Sequence, residues 1–149
     1  MDKALAVVRS DSPATSEVLE EADALTNGVD AELILLHVMP DDEYDERMSS
    51  RMETGSGGGS FSIDEAEREA NHIAKEAGRN ALGHTDFETI GIVGHLAQDA
   101  IEVAERENCD HIFISGRRRS PSGKAIFGDV TQRILLNFDE MVTVSLYDE

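Results

Sequence analysis

Short apolar runs alternate with stretches of helical period along the chain. Ala4 to Val8 (ALAVV) is uniformly apolar and too short for a helix, which predicts a buried first strand. Ser12-Pro13 then opens a helix, with Ser12 capping free N–H groups and Pro13 standing in the first turn. Ala14, Val18, Ala22 and Leu25 form its apolar face, and Asn27-Gly28 stops it. Leu33 to Met39 (LILLHVM) reads as a central parallel strand covered on both faces, ended by Pro40.

Residues 41–60 are charged and then glycine-rich, with no sustained period. They are expected to form a flexible, disordered insertion, the alternative being a mobile lid. Ser62-x-x-Glu65 is a capping box for a second helix with Ile63, Ala66, Ala70, Ile73 and Ala77 inward. A third strand runs from Phe87 to Val93 and a third helix from Leu96 to Glu107, with Ala97, Ala100, Ile101 and Ala104 inward. His111 to Ser115 (HIFIS) is a fourth strand, Gly116 to Phe127 a loop, Asp129 to Asn137 a fourth helix and Met141 to Leu146 a fifth strand.

The order βαβαβαβαβ, with right-handed crossovers, predicts one α/β domain: a doubly wound, open, five-stranded parallel sheet with helices on both faces. In such a sheet ligands bind beyond the carboxyl ends of the strands, where the winding reverses. That points to the loops after the first and fourth strands.

Composition narrows the function. The chain has 149 residues and a net charge of -18, with 31 acids against 13 bases. Such acidity opposes nucleic acid and anionic membranes. No apolar run has the length of a membrane span, and the first residues lack a signal pattern, so a cytoplasmic protein is expected. Only Lys3, Lys75 and Lys124 are lysines. Excess acid with scarce lysine suggests a halophilic, archaeal cytoplasm, where concentrated salt screens self-repulsion.

Cys109 has no partner in the chain and reads as a buried thiol. The five histidines are scattered without metal-ligand spacing, so no metal is expected. His37 and His111 fall at sheet positions. No nucleophile elbow is present, and no catalytic residue is assigned.

The stretch Ser115 to Asn137 reverses the charge of the chain, with Arg117, Arg118, Arg119, Lys124 and Arg133 against Asp129 alone. Glycines 116, 123 and 128 allow close approach to a ligand, and Gly128 leads into a helix N-terminus, which favours anions. The alternative is a solvated basic loop paired with the acidic body. A P-loop is excluded, because six residues separate Gly116 from Gly123 and Ala125 offers no hydroxyl for Mg²⁺.

Leu36-His37-Val38, Gly94-His95-Leu96, and HIFIS-Gly116 through Gly128-Asp129-Val130-Thr131 together resemble the universal stress protein family over Lys3 to Tyr147. The resemblance implies the adenine-nucleotide alpha-hydrolase-like fold with strand order 3-2-1-4-5. It also implies a stress-response homodimer joined through the last strand (Val142, Val144, Leu146). In ATP-binding members a glycine-rich loop wraps the phosphates, an Asp ending the first strand meets the adenosine part, and a Val ending the second packs on adenine.

Carried over by position, the candidate site comprises Val8, Arg9, Val38, Gly116, Arg117, Arg119, Gly123, Lys124, Gly128, Asp129, Val130 and Thr131. Its ligand would be ATP or another adenine nucleotide, with Mg²⁺. Three positions depart from the family pattern: Arg9 replaces the Asp, Arg119 replaces the middle glycine of a loop one residue short, and Asp129 replaces a Ser or Thr. Two outcomes stay open. Arg117, Arg119 and Lys124 serve as phosphate partners of a nucleotide switch with little turnover, at most slow ATP hydrolysis. Alternatively Arg9 pairs with Asp129 and closes the pocket of an interaction protein that binds no nucleotide.

Overall fold

A computed structural model describes residues 1–54, 61–118 and 128–148. The strands are β1 (Lys3–Val7), β2 (Glu32–Pro40), β3 (Glu88–Gly94), β4 (His111–Arg118) and β5 (Met141–Asp148). The helices are α1 (Thr15–Gly28), α2 (Asp41–Thr54), α3 (Ile63–Leu82), α4 (Leu96–Arg106) and α5 (Asp129–Asn137). All strand pairs are parallel, in the order β3-β2-β1-β4-β5. The expected doubly wound sheet is therefore present.

Alternation along the strands divides the core into two layers. Leu5, Val7, Ile34, Leu36, Ile112 and Ile114 face α4 and α5, packing on Ala97, Ala100, Val103 and Ile134. Ala4, Ala6, Leu33, Leu35 and Phe113 face α1 and α3, packing on Val18, Leu19, Ala22 and Ala74. Because β1 is covered on both faces and flanked by β2 and β4, a uniformly apolar sequence is what its position requires.

The capping box forms as read, with the Ser62 hydroxyl accepting from the Glu65 N–H at 3.1 Å. The start of α1 differs. The helix begins at Thr15 with Ala14 at its cap and no side-chain bond there. Ser12 instead accepts from the Ala14 N–H at 3.1 Å and donates to the Ser115 hydroxyl at 2.7 Å. Its face also rotates: Val18, Leu19, Ala22 and Thr26 are buried while Leu25 is exposed. Thr26 tolerates burial because its hydroxyl donates to the Ala22 carbonyl at 2.8 Å.

The larger correction concerns residues 41–54, expected as a disordered insertion and found as α2. The segment carries a thin apolar stripe, Tyr44, Met48 and Met52 at steps of four, and tertiary anchoring completes it. Tyr44 donates to the Phe61 carbonyl at 3.0 Å and packs its ring 5.7 Å from that of Phe61. Arg47 lies over the Phe61 ring and pairs with Glu69 at 2.6 Å. Phe61, Met39 and Ala66 form a small buried cluster beneath them. The glycine-rich residues 55–60 lie outside the described residues.

Candidate functional site

The site is built where β1 and β4, adjacent in the sheet, send their chains to opposite faces. After β1 the chain turns through Arg9 to Ala14, held by Thr15, whose hydroxyl donates to the Arg9 carbonyl at 2.8 Å. After β4, α5 begins at Asp129 with Gly128 as its extended cap residue, and among the described residues no side chain caps its first-turn N–H groups. Between these turns and the end of β5 lies a cleft of about 760 Å³, lined by Arg9, Asp11, Pro13, Arg117, Gly128, Asp129, Val130, Tyr147 and Asp148. That size suits a small organic ligand.

Five of the candidate residues meet there: Arg9, Arg117, Gly128, Asp129 and Val130. Thr131 is buried behind them, its hydroxyl 3.5 Å from the Ser115 carbonyl. Gly116 lies inside β4, which extends three residues beyond the expected Ser115, to Arg118. A Cβ on Gly116 would come within 2.9 Å of Val144 and 3.2 Å of Thr131, so its missing side chain lets α5 and β5 close on β4. Val8 and Val38 are buried on opposite faces of the sheet, and neither lines the cleft. Arg119, Gly123 and Lys124 lie outside the described residues.

Arg9 does not pair with Asp129. Its Nε and Nη2 donate to the Asp11 carboxylate at 3.3 and 3.5 Å, and its Nη1 donates to the Ser115 carbonyl at 3.2 Å. Asp11 wins because a carboxylate two residues along the same turn needs almost no additional ordering to meet the guanidinium. Ser115 thereby becomes the hub of the switch point, fully buried, taking bonds from Arg9, Thr131 and Ser12.

Sequence reasoning missed Asp11, Pro13, Ser12, Ser115, Tyr147 and Asp148. The Arg9-x-Asp11 spacing was a usable signal for the first. Tyr147 and Asp148 follow from continuing the alternation of β5 past Leu146. Among the described lining residues, three carboxylates face two guanidinium groups. Asp148 is drawn aside by Arg118, at 3.8 Å.

Elsewhere, the His84 Nε2 donates to the Asp23 carboxylate (3.0 Å), His95 meets Asp41 (3.0 Å), and His111 stacks on Phe113 with centroids 4.3 Å apart. Burial lowers the pKa of His111, with neighbouring Asp110 opposing. Among the described residues no group of three or more His, Cys, Asp or Glu is gathered as a metal site, and no helix is long and apolar enough to cross a membrane.

The universal stress protein family model matches residues 1–145, and the chain belongs to that family. It is 25% identical to the universal stress protein MJ0577 of Methanocaldococcus jannaschii over 122 residues, 76% of this chain and 75% of the relative. In fold it is similar to a universal stress protein of Archaeoglobus fulgidus, with a TM-score of 0.62, 21% identity, and 97% and 98% of the two chains covered. It is also similar to an A. fulgidus universal stress protein solved in complex with dAMP, with a TM-score of 0.57, 14% identity and 97% of each chain covered.

Proposed function

We propose that this protein is a cytoplasmic nucleotide-responsive switch that holds ATP or another adenine nucleotide in the cleft between β1, β4 and α5, with little turnover. The observation that carries this reading is the N-terminus of α5. Among the described residues its first-turn N–H groups receive no side-chain cap, and they open beside Gly128, where a Cβ would meet no described atom within 4 Å. Phosphate oxygens are the natural partners of such a terminus. Pro13, Val130 and Tyr147 supply apolar area for a base. Asp129, exposed in the first turn, would share a Mg²⁺ ion with the phosphates and so relieve its own repulsion of them. The dAMP complex of the A. fulgidus relative supports an adenine nucleotide as the ligand class.

Calorimetry with MgATP in concentrated KCl tests the reading. Saturable heat at or below millimolar nucleotide supports it, and no heat at millimolar ATP overturns it. A specific observation favours a second reading, an interaction protein without nucleotide: the Arg9 side chain already spans the crevice between β1 and β4. That reading gains if the same titration is silent.

Assembly as a homodimer through β5 is part of the proposal. This strand is a sheet edge, and Val142, Val144 and Leu146 are only partly covered. Sedimentation should give a dimer for the wild type and a monomer for Leu146→Asp. A monomeric wild type would end this part of the proposal.

A further inference from the structure

Arg9 is held from two sides that differ in kind. Behind it, Nη1 donates to the carbonyl of Ser115, a residue with no exposed surface. In front, Nε and Nη2 meet the two oxygens of Asp11 in a forked arrangement at 3.3 and 3.5 Å. The Arg9 side chain is 13% exposed and that of Asp11 is 74% exposed. The rear contact is therefore fixed by the sheet, while the front contact is made by a carboxylate that stands largely in water. Both residues line the cleft, opposite the first turn of α5.

A planar pair of oxygens on a guanidinium fork is the geometry a phosphate also offers. Leaving costs Asp11 little, because an exposed ion pair contributes only modestly and the freed carboxylate is fully hydrated. Arg9 loses nothing by the exchange, since its anchoring bond to Ser115 is kept.

We propose that Asp11 is a built-in placeholder for an anionic ligand group: it occupies the Arg9 fork in the free protein and gives way to a phosphate oxygen on binding, which makes Arg9 the cleft's anion-selecting residue. This rests on the reading of the cleft as a nucleotide site. The placeholder keeps Arg9 oriented and also sets a threshold, since a ligand without a doubly oxygenated anionic group cannot replace it.

The test is a double-mutant cycle at one fixed KCl concentration, titrating MgATP and, separately, inorganic tripolyphosphate into wild type, Asp11→Asn, Arg9→Gln and the double variant. Asp11→Asn should bind both probes about threefold to fivefold more tightly than wild type, the range set by the weakness of exposed ion pairs. In the Arg9→Gln background the same change should give no such gain, because the competition it relieves no longer exists. Asp148→Asn removes the same charge from the same cleft without touching Arg9, and should gain less than twofold by general screening. Equal gains from Asp11→Asn and Asp148→Asn, or a gain that persists without Arg9, would overturn the placeholder while leaving the nucleotide reading intact. No binding of either probe by wild type and Asp11→Asn alike would overturn both.

Discussion

The Nδ1 atom of His37 lies 2.8 Å from the carbonyl oxygen of Val8, tying the end of β2 to the end of β1 just below the cleft. Both residues are buried, so the ring must present a hydrogen on that nitrogen and the carbonyl has little access to water. His37→Leu fills similar space but leaves the carbonyl unpaired, at a cost of about 1–3 kcal/mol. Urea denaturation should show a lower midpoint with an unchanged slope. An unchanged midpoint would mean that the Val8 carbonyl finds another donor.

Gly91 and Gly28 should respond in opposite ways to the same substitution. A Cβ on Gly91 would collide with the backbone of Ala70 and Asn71, because α3 lies directly against β3 there. Gly91→Ala should cost about 3 kcal/mol or more, since helix and strand must separate to admit it. Gly28 ends α1 in open space, so Gly28→Ala should add about 0.4–1 kcal/mol by restricting the unfolded chain. Thermal melting of the two variants beside wild type decides both.

Cys109 gives stability an alkaline limit. Burial pushes its thiol from the ordinary 9.0 up to about 11, with Lys3 opposing and Glu107 and Asp110 reinforcing. The unfolded chain thus releases this proton from about pH 9 while the folded chain holds it to about 11. Stability from this group is complete below pH 9 and declines as pH rises through 11. Denaturation of wild type and Cys109→Ala between these limits should show the steeper fall in wild type. Parallel curves would mean the thiol ionises equally in both states.

The net charge of -18 sets the response to salt. Raising KCl from 0.1 M to 1 M shortens the Debye length from about 10 Å to about 3 Å and weakens repulsion among the carboxylates. The melting temperature should rise by several degrees over this interval, the behaviour expected of salt adaptation. A melting temperature that falls would remove that explanation for the acidity.

The sheet was legible because its central strands are nearly continuous apolar runs whose environment leaves little choice: β1 and β2, buried on both faces, admit scarcely any polar residue. α2 was missed although Tyr44, Met48 and Met52 recur at steps of four, because this thin stripe is outweighed by the charged residues around it and is held by Tyr44 meeting Phe61, a residue well beyond the helix end. The position of the site followed from the winding of the chain. Its detail did not, because side-chain partners across separate elements are decided by distance in space. Asp129 was the charge partner the sequence offered for Arg9, and the tight turn after β1 selected Asp11 instead. Gly116 likewise read as a ligand glycine, yet in place it gives up its side chain to Thr131 and Val144.

The central position of β1 also orders events in time. Ala6 pairs on one side with Leu35 and on the other with Phe113. During synthesis β1 emerges before the other strands of this sheet, gains β2 early and then waits for β4. A nascent chain that stops after α4 therefore carries a strand that is apolar from Ala4 onward with one bare edge, the kind of surface to which other chains add. For this protein the interval before β4 emerges is the period of greatest exposure to misassembly, and the last strands of the sheet end it.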